Sequence, residues 1–200
     1  MTPVPVLRRL YLARFGFALV WAGLLALTLP DLGVAAGVLL VVYPAVDAAA
    51  AIVDVRATPA TRARSGVYGT IAAGSLAAVG LAVASLSGVP AALRVWGAWA
   101  VVAGLLQLVV AVLRRGTGGQ VAMILSGGGS VVAGTAFVLI ASTEDPTLSV
   151  LAGYAVVGGT FFLISALRLR AAAGLPGPGS TTQSPLAEGL ADHTGSYGDR

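Results

Sequence analysis

The chain has 200 residues, of which 57% are hydrophobic and only 10% charged, with a formal net charge of +4 and a mean hydropathy of +0.91. Soluble domains carry about a quarter charged residues, so this composition excludes an ordinary soluble protein; at roughly 20 apolar residues per span the chain holds about six membrane helices and no separate soluble domain. The positive charge comes from twelve basic residues, all arginine and most of them flanking apolar runs, which points to a lipid bilayer and not to nucleic acid.

Residues 1–14 read as a basic arm with Arg8, Arg9 and Arg14, followed by a first span over 15–29. This run ends in Thr28-Leu29-Pro30-Asp31 and the next span begins at once, so no small-residue cleavage site follows it and the helix is expected to be retained. The second span is expected over 32–55, the third over 66–86, the fourth over 91–113, the fifth over 120–141 and the sixth over 147–167. Pro30-Asp31, Ser87-Gly88-Val89-Pro90 and Ser142-Thr143-Glu144-Asp145-Pro146 supply the turns after the odd spans. The membrane domain is expected to occupy residues 15–170. From residue 171 to 200 the sequence is rich in Gly, Pro, Ser and Thr and lacks hydrophobic periodicity, the composition of a disordered tail.

The arginines sort by loop. Arg8, Arg9 and Arg14, then Arg56, Arg62 and Arg64, then Arg114 and Arg115, and finally Arg168 and Arg170 all fall on one side, with Arg94 alone near the other. The positive-inside rule therefore predicts cytoplasmic termini and a basic inner face able to meet anionic headgroups. The opposite turns are too short for an ectodomain. Arg94 reads as an interfacial anchor, and the Trp and Tyr residues as anchors or packing groups.

Spacing suggests an internal repeat. Trp21-Ala22-Gly23, Ala78-Val79-Gly80 and Val132-Ala133-Gly134 place glycines 57 and 54 residues apart, and Tyr43, Trp99 and Tyr154 recur at intervals of 56 and 55. Three similar helical hairpins of one orientation are the simplest reading. Gly33 with Gly37, Ala100 with Gly104, and Gly127-Gly128-Gly129, which interrupts span five, let helix backbones approach in lipid. The pattern from Arg14-Phe15-Gly16 through Trp21-Ala22-Gly23 to Leu29-Pro30, then Leu39 to Tyr43 through Val46-Asp47-Ala48 to Ile52-Val53-Asp54, resembles the HdeD-like family of small bacterial membrane proteins over residues 10 to 170. The resemblance implies a six-helix fold in the cell membrane, built from a short repeat, and a link to acid resistance; Asp47-Ala48 stands where the family often has Asp-Gly.

The carboxylates of the second span are the chemical features of the sequence. Tyr43, Asp47 and Asp54 share one helical face. Asp47 lies nine residues before Arg56, roughly 13 Å from the inner boundary and so near the midplane. A charge there costs about 2.5 to 3.5 kcal/mol. With no basic residue assigned to matching depth, Asp47 is expected to be largely neutral, since burial disfavours its charged form, and hydrogen-bonded to polar neighbours. Gln107, Thr160, Ser75 and Ser130 fall at similar depth and complete a candidate polar layer with Asp47 and Tyr43. Pro44 leaves the Leu40 carbonyl without its helical donor. The layer reads either as a hydrogen-bond knot joining helices or as a titrating proton site. Asp54, close to the boundary, reads as an ion-pair partner for Arg56, Arg62, Arg64 or Arg14.

With no cysteine, and the single histidine, His193, in the tail, the helical region offers no metal or nucleophile constellation. No enzymatic activity and no cofactor are expected. The sequence leaves three readings: a structural or stress-related membrane protein, a small proton-coupled transporter or channel using Asp47, and a membrane subunit for a protein partner or a second copy.

Overall fold

The computed structural model describes residues 3–57, 64–113 and 120–173. Six helices cross it: α1 (Pro3–Thr28), α2 (Val34–Ala57), α3 (Arg64–Ala84), α4 (Val89–Leu113), α5 (Gln120–Ile140) and α6 (Ser149–Ala173), with a short 3-10 turn at Ser85–Ser87. Five are long and apolar enough to cross a membrane, and α5 adds a shorter apolar run over Ile124–Ile140. This is the architecture of a multi-pass membrane protein. Every regular element among the described residues is helical, as a bilayer requires of a backbone that must satisfy its own polar groups.

The helix limits follow the sequence closely except at the start. The expected arm is helical from Pro3, because nothing between Pro5 and Thr28 breaks the run and Pro is accepted in a first turn. Arg14 is thus the twelfth residue of a 26-residue helix. The α3–α4 turn needs Gly88, whose φ of 97° lies in the region other residues rarely enter, and Pro90 then sits in the first turn of α4. Helix α5 runs unbroken through Gly127-Gly128-Gly129, so these glycines do not interrupt it.

Short connections place the α1–α2, α3–α4 and α5–α6 turns at one end of the bundle, and the start of α1 and the end of α6 at the other. The most extensive packing is α4 on α5, α6 on α1 and α2 on α3. Each even helix therefore leans on the odd helix after it, and α6 closes the ring on α1. Among sequence neighbours, α5 and α6 are the least packed.

Glycine explains the tight α4–α5 contact. Gly97 meets Gly134 and Gly104 meets Gly127, so that a Cβ on Gly97 or on Gly104 would lie 2.5 Å from the facing glycine's carbonyl oxygen. Each pair is seven residues, about two turns, apart along its helix. The repeated glycines are not equivalent: Gly134 is in backbone contact, Gly80 would meet only the Val95 side chain, and Gly23 faces open space. Of Gly33 and Gly37, only Gly37 approaches a neighbour, at Ser85.

The turn-side half of the bundle is solid. Leu25, Leu40, Leu81, Leu93, Leu148 and Leu151 are fully buried there. Midway, Trp21, Tyr43, Trp96 and Trp99 form an aromatic plate, with ring centroids 4.7 Å apart for Trp21–Tyr43 and 5.4 Å for Trp96–Trp99. Buried packing, not interfacial anchoring, is the role of these three tryptophans. The Trp21 indole donates to the Leu39 carbonyl at 2.6 Å, one residue before the carbonyl that Pro44 deprives of its donor. Arg94 is exposed, and its guanidinium reaches the Ala141 carbonyl at 3.4 Å.

Candidate functional site

Below the aromatic plate, on the side of the termini, the bundle is hollow. A cavity of about 230 Å³ is lined by the terminus-side halves of all six helices. Its polar lining includes Arg14 on α1, Asp47 on α2, Thr70 on α3, Gln107 on α4, Ser126 and Ser130 on α5, and Ser165 on α6. Tyr43, Trp99, Tyr154 and Phe162 supply aromatic wall.

Asp47 does not stand among neutral neighbours. Its Oδ1 accepts from Nη2 of Arg14, forming an ion pair whose side chains are 16% and 18% exposed. The premise that no basic residue lies at matching depth fails: with α1 helical from Pro3, Arg14 is a spanning residue at the height of Asp47. A second contact holds the cation, since the Arg14 guanidinium carbon lies 3.9 Å from the centroid of the Phe162 ring on α6. Arg14 is thus engaged by Asp47 and Phe162. In lipid an unpaired charge of either sign is costly, and pairing within a polar cavity relieves both.

Four of the six polar-layer candidates meet here. Asp47, Tyr43, Gln107 and Ser130 all line the cavity, and the Ser130 hydroxyl lies 3.0 Å from that of Tyr154, bridging α5 to α6. Ser75 and Thr160 do not join them. Both are exposed on the outside of the bundle, where Thr160 donates to the Val156 carbonyl of its own helix at 2.9 Å. Depth in the membrane follows from counting residues, but the face a helix turns inward is chosen by packing: α3 turns Gly74 and Ala77 inward, with Gly74 against Pro44 and Ala48 of α2. Ser75→Ala and Thr160→Ala are accordingly expected to shift stability by less than about 0.5 kcal/mol. A thermal midpoint displaced by many degrees in either variant would place these hydroxyls inside the bundle instead.

Sequence reasoning missed Arg14, Thr70, Trp99 and Tyr154 as site residues. The last two carried a signal, because they recur at the spacing of Tyr43. The correspondence extends along the helices: Tyr43, Trp99 and Tyr154 line the cavity, as do Asp47, Ala103 and Gly158 one turn on, and Ala51, Gln107 and Phe162 one turn further. Within each triplet the intervals are 56 and 55 residues.

Of the arginines expected on an inner face, Arg56 and Arg168 are exposed. Arg62, Arg114 and Arg115 lie outside the described residues, as do the side chains of Arg64, Arg170 and Asp54 and the tail beyond residue 173. Among the described residues no group of three or more His, Cys, Asp or Glu side chains is placed to hold a metal ion.

Fold and site together define a multi-pass helical membrane protein with a one-sided polar cavity. No protein-family model, curated protein or solved structure matches the chain.

Proposed function

We propose that this is a non-enzymatic cell-membrane protein, similar to the HdeD-like family, with a stress-related role exercised through the cavity and not through transport. The observation that carries this reading is the contrast between the two halves of the bundle. The terminus-side half holds a polar cavity with an ion pair, whereas the turn-side half is closed by the Trp21–Tyr43–Trp96–Trp99 plate and a leucine core. Such a shape suits binding and response on one face of the membrane. The positive-inside distribution of arginine favours the cytoplasmic face for the cavity and both termini. The matched triplets lining the cavity support a threefold repeat of one hairpin, with Asp47 as the copy that acquired charge.

A second reading draws on the convergence of Asp47, Tyr43, Gln107 and Ser130 on one space: proton-coupled transport with Asp47 as the exchanging group. Proton flux into liposomes under an imposed pH gradient separates the two. Wild type and Asp47→Asn are both expected to match protein-free liposomes. Flux in the wild type that disappears in a folded Asp47→Asn variant would overturn the non-conducting reading in favour of transport.

A further inference from the structure

Glycines map how closely each pair of helices in the ring is joined. A Cβ on Gly74 would lie 2.9 Å from the Pro44 carbonyl oxygen across α2–α3, one on Gly69 2.9 Å from a Leu106 methyl across α3–α4, and one on Gly159 3.0 Å from the Ala18 Cβ across α1–α6. With Gly97–Gly134 and Gly104–Gly127 across α4–α5, four of the six seams of the ring carry a close approach. Among the described residues the α1–α2 and α5–α6 seams carry none, and they are the two least packed. A hollow of about 230 Å³ lies between α5 and α6. In lipid, close packing is what holds helices together. The two loose seams therefore divide the ring into a block of α2, α3, α4 and α5 and a pair made of α1 and α6.

Block and pair are joined unequally along their length. On the turn side, Trp21 of α1 stacks on Trp96 of α4 with ring centroids 5.3 Å apart, and Leu25 and Leu151 of the pair share one buried core with Leu40, Leu81 and Leu93 of the block. On the terminus side the cavity lies between the two, and polar contacts cross the loose seams: Arg14–Asp47 from α1 to α2, and Ser130–Tyr154 from α5 to α6. Within the pair, Phe162 of α6 carries the Arg14 guanidinium on its ring and stacks with Tyr11 at 6.3 Å between centroids. Arg14 thus moves with both of its helices. Among the described residues Arg14 and Asp47 are the charged side chains lining the cavity, so Asp47 alone compensates the cation there. An arginine left uncompensated at this depth is costly, and water on the terminus side relieves the cost.

We infer that α1 and α6 form one rigid body that swings on the turn-side core, with the Arg14–Asp47 pair as the latch that keeps it closed over the cavity. Without the charge of Asp47, the terminus-side ends of both helices move outward together, loosening both weak seams and carrying Arg14 toward water. The inference goes beyond the proposed function, since it rests on the packing and on neither reading of the cavity.

The chain has no cysteine, so pairs of introduced cysteines carrying nitroxide labels can be read by double electron–electron resonance in the full chain in lipid nanodiscs. Exposed positions serve as label sites. Tyr68→Cys with Leu167→Cys, and Leu125→Cys with Leu167→Cys, measure from the block to the pair on the terminus side. Tyr68→Cys with Leu125→Cys lies within the block, Val20→Cys with Leu167→Cys within the pair, and Leu27→Cys with Leu86→Cys joins the two on the turn side. In Asp47→Asn both block-to-pair distances on the terminus side are expected to lengthen by more than about 2 Å, beyond side-chain adjustment, while the other three match the wild type. Asp47 belongs to α2, so lengthening between α5 and α6 reports the joint movement of α1 and α6. The double variant Arg14→Met with Asp47→Leu leaves no charge to expose and is expected to restore the wild-type distances. All variants are compared at matched helical content by circular dichroism; Asp47→Leu replaces Asp47→Asn if the latter does not fold. Unchanged terminus-side distances in the single variant, lengthening within the block, within the pair or on the turn side, or a double variant as open as the single one would overturn the inference. Distances and proton flux are separate readouts, so flux in liposomes would revise the proposed function and leave this result standing.

Discussion

Gly97→Leu is expected to separate α4 from α5 and to be the most damaging single substitution in the bundle. At this position even a methyl group would lie 2.5 Å from the Gly134 carbonyl oxygen and 2.8 Å from a Val138 methyl. The side chain can turn away, but the carbonyl belongs to a helix and cannot. Relief requires the helices to move apart, which forfeits the close backbone packing that holds helices together where lipid offers no hydrophobic drive. Overpacking typically costs about 1 to 3 kcal/mol. Gly97→Ala should fall in that range, and Gly97→Leu should exceed it, with loss of a monodisperse protein in detergent as the extreme outcome. Gly134→Leu should behave alike, since its own Cβ would lie 2.5 Å from the Gly97 carbonyl. Gly23→Leu is the control: the position is also a helical glycine but faces open space, and the substitution should change the thermal midpoint little. Equal midpoints for Gly97→Leu and wild type would refute the α4–α5 contact.

The second large effect belongs to the Arg14–Asp47 pair. Removing one partner of a buried pair costs about 3 to 5 kcal/mol, because the survivor is left without compensation. Here the two side chains are 18% and 16% exposed and border a polar cavity, so the lower end of that range, about 3 kcal/mol, is expected for Arg14→Met and for Asp47→Leu. The double variant replaces the pair by apolar groups and should be no less stable than either single one. A double-mutant cycle should then give a coupling energy of about 3 kcal/mol, measured by reversible denaturation in mixed micelles. Additivity to within about 0.5 kcal/mol would mean that the two groups do not interact. Part of the Arg14 effect reflects its stacking on Phe162, which Phe162→Leu removes while leaving the ion pair in place.

Much of this protein follows from the sequence through local rules. A bilayer forces apolar runs of sufficient length into helices, and Gly88 and Pro90 end one run and start another, so six helices and most of their limits, though not the start of α1, could be read directly. Asp47 declared itself by being an acid in the middle of an apolar span. The regular spacing of Tyr43, Trp99 and Tyr154 was legible too, although a one-dimensional spacing does not tell whether the three rings face lipid or one another.

Tertiary structure decided the rest. Residue counting fixes the height of a side chain, but its azimuth depends on which helices pack together, and that was settled by contacts distant in sequence, such as Gly97 on Gly134. Ser75 and Thr160 therefore turn outward while Ser130, at comparable depth, turns in. Arg14 shows the same logic in reverse. It reads as part of a flanking arm until the helix is seen to begin at Pro3, and only the packing of α1, α2 and α6 brings it to Asp47 and Phe162, 33 and 148 residues away along the chain. A charge's partner is a matter of distance in space, and composition and periodicity carry information only along the helix axis.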